Sequence, residues 1–147
     1  MVKGEKTKNV CGFIHHSLFT IHGFKGDIMQ REWPLVRRIL KSLEAREDLR
    51  SPLRPDELEG FAPEVVSYHI RLLMEAGLIH GECSRTMGAP LSCMAYSLTW
   101  EGHEFLDQVR EEKSWNSVVR VARDKGLSLS FEIIKAVAGK LAAAALS

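Results

Sequence analysis

The chain has 147 residues, 45% of them hydrophobic, enough for one domain with a real core plus appendages. Its 20 Lys and Arg nearly cancel its 19 Asp and Glu, so no protein-wide field draws it to nucleic acid or anionic membrane. Any DNA binding must rest on a local patch.

The first 28 residues hold four lysines, no arginine, three of the six histidines and four of the 11 glycines, without helical periodicity. They are expected to form a flexible N-terminal extension, residues 1–28, and Met29 marks a candidate biological start. Cys11, His15, His16 and His22 lie there at a spacing that matches no standard zinc site. Although lysines precede an apolar run, two histidines interrupt it and no small-residue cleavage site follows, which argues against a secretory signal.

From Trp33 the pattern becomes helical. Trp33, Val36, Leu40 and Leu43 fall on one stripe with Ile39 beside them, and Arg37, Lys41 and Glu44 are placed on the other side. Pro34 suits a first turn and Pro52 forbids continuation past Ser51, so a first helix is expected over about 32–49. The acidic, proline-bearing stretch 52–60 reads as a loop with at most one short strand or helical turn.

Pro63 opens a second helix to about residue 76, with Val66, Ile70 and Leu73 on its apolar face and Gly77 as its C′ residue. Beyond it, Leu78 and Ile79 enter a short strand, Thr86-Met87-Gly88-Ala89-Pro90 makes a turn, and Met94, Tyr96 and Leu98 alternate as a half-buried strand does. Two strands around one turn predict a hairpin. Cys83 and Cys93 can face one another across it, which would permit a redox disulfide, but the expectation in a cytoplasmic, reducing compartment is two reduced, half-buried thiols.

Thr99 can cap a third helix with Gly102, Phe105, Leu106 and Val109 on its buried stripe. A fourth helix follows with Trp115, Val118, Val119 and Ala122, closed by Gly126. The fifth is capped by Ser130 and carries Phe131, Ile134, Ala138, Leu141 and Ala145 at heptad spacing. Glu132, Lys135 and Lys140 interrupt that last apolar run, which is also too short for a membrane anchor.

The order of these elements, helix, short connection, helix, hairpin, helix, is that of a winged helix-turn-helix. The phrase Val66-Ser67-Tyr68-His69-Ile70-Arg71-Leu72-Leu73-Met74-Glu75-Ala76-Gly77-Leu78-Ile79 resembles the recognition-helix stretch of bacterial winged-helix repressors of the arsenic-sensor and multidrug-sensor types. Tyr96-Ser97-Leu98-Thr99-Trp100-Glu101-Gly102-His103-Glu104-Phe105-Leu106-Asp107 resembles their wing strand and following helix. With Trp115-Asn116 and Gly126 to Glu132, the chain from Met29 to about Leu141 is similar to an uncharacterised bacterial family often carried by phages and mobile elements. The resemblance implies a mainly α fold with a small β-hairpin. Residues 29–110 would form a winged-helix-like domain and residues 111–147 a helical extension packed on it. The departure is the acidic stretch Arg54 to Gly60, where the repressors place a full positioning helix.

If the second helix enters a major groove, Ser67, Tyr68 and Arg71 are its available side chains. Arg85 stands at the wing, with Arg37, Arg38 and Lys41 as candidate phosphate contacts. Specific binders typically neutralise about 6 to 10 phosphates, and this helix and wing supply about two. Three partners therefore stay open: double-stranded DNA, a protein that the unit would serve as an adaptor, and a second copy of the chain through its last two helices.

His69, beside the apolar stripe, is expected to pack at the core boundary rather than ligate a metal. His103-Glu104-Phe105-Leu106-Asp107 comes within one residue of the zinc-protease pattern HExxH, but no third ligand accompanies it. No catalytic residue, metal or cofactor is expected.

Overall fold

The computed structural model describes residues 29–147. The N-terminal extension, with Cys11 and its three histidines, lies outside the described residues. The fold is mainly α-helical with one small antiparallel hairpin. Its elements are α1 (Trp33–Glu44), a 3-10 turn (Pro55–Glu57), α2 (Pro63–Glu75), β1 (Ile79–Ser84), β2 (Ser92–Leu98), α3 (Trp100–Val109), α4 (Glu112–Asp124) and α5 (Phe131–Leu146).

Helix α1 stops several residues before the position that Pro52 alone allowed. The Asp48 carboxylate accepts hydrogen bonds from the Arg50 and Ser51 amides, both at 2.8 Å, and a chain held in that local turn no longer feeds the helical ladder. Beyond it, Leu53 forms a one-residue bridge with Ala95, exchanging amide-carbonyl bonds of 2.7 and 3.1 Å along the free side of β2. Arg46 holds this connection in place through the carbonyls of Ser51 and Pro52 and the Glu57 carboxylate.

Helix α2 ends in a Schellman arrangement. The Leu78 amide bonds back to Leu73 O at 2.9 Å and the Gly77 amide to Met74 O at 3.0 Å. Gly77 takes φ +73°, which L side chains rarely adopt. Gly126 closes α4 in the same way at φ +66°. Thr99 and Ser130 cap α3 and α5 as their positions predict, their hydroxyls accepting from the Gly102 and Ile133 amides.

One continuous apolar cluster runs from Trp33, Leu35 and Ile39 of α1 through Val66 and Ile70 of α2 and Leu98 of β2 to Phe105, Trp115, Ile134 and Val137. Trp33 lies 6.3 Å from Phe105, which lies 4.8 Å from Phe131, so a chain of rings links α1 to the last helix. In α5 the heptad positions Ile134 and Ala138 are buried together with Val137, whereas Ala145 is exposed.

Two expectations change here. Arg37 belongs to the core and not to the outer face of α1, since it is only 6% exposed. Four residues after Trp33 is only about 40° around the helix from it, close enough to the stripe to be covered by α3 and α4. Its guanidinium donates to Val109 O at 2.8 Å and Arg110 O at 3.3 Å, pairs with Glu112 at 2.9 Å, and lies 4.9 Å from the Trp115 ring centre.

Cys83 and Cys93, expected as free thiols, are joined in a disulfide. The register pairs them directly, with Cα atoms 4.0 Å apart. The Cys93 amide points away from β1, towards Ser67, so the pair occupies a narrow, non-hydrogen-bonded site where facing side chains meet.

Candidate functional site

Four of the residues singled out for nucleic-acid contact, Ser67, Tyr68, Arg71 and Arg85, belong to α2 and the hairpin, which with the preceding 3-10 turn assemble one face. Ser67 does not reach its surface. At 2% exposure, its Oγ accepts the Cys93 amide at 3.2 Å, because the position after Val66 turns towards β2 and the hydroxyl supplies the partner that a free strand edge lacks.

Tyr68 is half-buried, and the Arg71 guanidinium carbon lies 5.4 Å from its ring centre. Arg71 also stands 3.5 Å from Glu75, one turn on, in an ion pair without a hydrogen bond. Arg85 is exposed at the start of the hairpin turn and makes no ion pair among the described residues. Of the four predicted positions the structure thus leaves one uncommitted cation, one engaged cation, one partly covered ring and one internal hydroxyl.

Two of the three α1 cations contribute little to this face. Arg37 is buried, and Arg38 donates to Glu59 O at 2.8 Å while lying 5.6 Å from the Phe61 ring centre. Beside α2 a cleft of about 190 Å³ is lined by Arg54, Asp56, Glu64, Ser67, Leu91 and Met94, a mixture of both charges and apolar groups. At the hairpin tip Met87 is fully exposed.

His69 is a packed residue, as its place beside the stripe suggests, and its role is to join two helices. Val65 O, 2.8 Å from Nδ1, can only accept, and the Glu32 amide, 2.8 Å from Nε2, can only donate. The ring is therefore neutral with its proton on Nδ1, and it supplies an acceptor to the N-cap position of α1, whose own side chain makes no capping bond. Burial is the largest influence on its pKa, and the net effect holds it below the ordinary histidine value of 6.5.

The folded chain consequently binds this proton less readily than the unfolded one. Stability is full above the unfolded value of 6.5 and falls as pH drops through it towards the lowered folded value. Urea midpoints measured from about pH 8 to pH 5 are expected to decline more steeply for the wild type than for His69→Gln, whose amide cannot titrate. Parallel pH profiles would contradict this assignment.

The HExxD stretch stays apart from any site. His103, Glu104 and Asp107 are exposed on α3, and Asp107 is engaged with Arg110 at 2.7 Å. Among the described residues no group of three or more His, Cys, Asp or Glu side chains is placed to hold a metal ion. No helix among them is long and apolar enough to cross a membrane.

These features define a mainly α domain with a hairpin that presents a small mixed-charge face. Residues 30–128 match the family described as Hypothetical protein (DUF2513), and the chain belongs to that family. A Haemophilus influenzae protein described as uncharacterized is similar to it, 44% identical over 110 residues that cover 75% of this chain and 92% of the relative. No solved structure matches.

Proposed function

We propose that the chain is a non-enzymatic binding module with the winged-helix arrangement, and that its α2 and hairpin face docks on another protein. The observation that carries this reading is the charge on that face. Glu64, Glu75 and Asp56 accompany Arg71 and Arg54, Arg71 is already paired with Glu75, and of these arginines and Arg85 only Arg85 makes no ion pair among the described residues. A duplex backbone rewards a run of free cations, whereas a protein partner is suited by mixed charge around apolar groups such as Met87 and Leu91. A fold used elsewhere for DNA does not decide the matter.

DNA binding, in the role of a regulator carried by a phage or other mobile element, is the second reading. It is favoured by α4, where Lys113, Arg120 and Arg123 are exposed, make no ion pair among the described residues, and surround an open depression of about 500 Å³ with Asn116. A symmetric pair of chains would double those cations.

A titration with mixed duplex DNA at two salt concentrations separates the readings. No salt-dependent binding at low ionic strength is expected, together with protein adducts in cells from a photo-reactive side chain placed at Tyr68. Saturable, salt-dependent binding that weakens in Arg120→Ala and Arg123→Ala, or in Arg71→Ala and Arg85→Ala, would replace the first reading by the second.

A further inference from the structure

The structure assigns Cys83 and Cys93 as a thiol–disulfide exchange site whose state governs the order of the hairpin turn, with a dithiol as the reducing co-substrate. Three observations support it. The register sets the two cysteines opposite one another, so the bond forms and breaks without a change of pairing. Cys83 is exposed whereas Cys93 is fully buried, which offers an incoming thiolate one sulfur only. Finally, Cys93 is anchored independently of the bond, by its amide to Ser67 and by the Leu53 bridge to Ala95 two residues on, so that strand β2 keeps its place after reduction.

The exchange proceeds in two displacements. A thiolate of the dithiol attacks Cys83 Sγ, the S–S bond breaks, and its electron pair goes to Cys93 Sγ, which takes up a proton. The second thiol of the same dithiol then attacks the mixed disulfide and releases Cys83 as a thiol. Net, one protein disulfide and one dithiol become two protein thiols and one cyclic disulfide. The reverse reaction, with a disulfide as oxidant, restores the bond.

What changes is local. The bond closes a loop whose ends are 10 residues apart in sequence, and everything between them from Ser84 to Ser92 is exposed except the half-buried Leu91. Once the bond opens, that segment loses its second tether, which alters the presentation of Arg85 and Met87 whatever partner they meet.

Arg85 is also the only Lys or Arg between the two cysteines, which provides the test. In the full-length protein purified without reductant and alkylated, complete tryptic digestion should yield Leu72–Arg85 joined to Thr86–Arg110. Under native conditions, cleavage after Arg85 should accelerate by about tenfold when dithiothreitol is added. Cys83→Ser, which alters an exposed position, should be cut at the fast rate with or without dithiothreitol. Absence of the joined peptides overturns the proposal. So does a native cleavage rate indifferent to dithiothreitol, or a Cys83→Ser rate equal to that of the oxidised wild type.

Discussion

Replacing Arg37 by alanine is expected to lower the free energy of unfolding by about 3 kcal/mol, the largest effect of any charged side chain described above. The loss does not come mainly from the ion pair. Glu112 is 68% exposed, where water competes for it, so Glu112→Gln should change stability by less than about 1 kcal/mol. What alanine removes is the donor to Val109 O and Arg110 O, the backbone where α3 gives way to α4, together with the aliphatic stem and the plane lying against Trp115. Denaturant unfolding of the two variants beside the wild type measures both numbers. An Arg37→Ala loss no larger than that of Glu112→Gln would show that the guanidinium merely fills space that water can fill as well.

Gly102→Ala should destabilise by about 3 kcal/mol or prevent folding, although glycine to alanine inside a helix ordinarily stabilises by about 1 kcal/mol. The sign inverts because a Cβ at Gly102 would stand 2.0 Å from Leu78 O and 3.0 Å from Leu78 C, both backbone atoms. That carbonyl accepts the Thr99 amide at 3.0 Å, and Thr99 in turn caps α3 and donates its hydroxyl to Gly77 O at 2.6 Å. Helix α3 cannot retreat without breaking the joint between the end of α2 and the end of β2. Gly139→Ala in α5 is the matched control. Its Cβ would meet nothing within 4 Å, so the ordinary gain of up to about 1 kcal/mol should appear. Thermal or urea unfolding of both variants decides the case, and two changes of the same sign would refute the close crossing.

The family match covers residues 30–128, which takes in the apolar cluster from Trp33 to Val118 but not the Ile134, Val137 and Ala138 that α5 adds to it. Within it, the face presented by α2 differs from the expectation more than the fold does. Of the residues offered for a duplex, Ser67 turned inward and Arg71 found Glu75, and these two outcomes shift the functional reading towards a protein partner.

Local chemistry in the chain was sufficient for the helices, the hairpin, the caps at Thr99 and Ser130 and the left-handed closures at Gly77 and Gly126. Each depends on residues within one or two turns of one another, and on apolar spacing that only one kind of element can bury. Four features were decided only by tertiary structure: the burial of Arg37, the withdrawal of Ser67, the role of His69 and the Cys83–Cys93 bond. For Arg37, Ser67 and His69 the reason is that a polar group near the edge of an apolar stripe can be solvated or internal, and a partner between 26 and 73 positions away settles which. For the disulfide the reason is register. A slip of one residue would turn the cysteines to opposite faces of the hairpin, and the register is held by the core that β2 shares with α1 and α2.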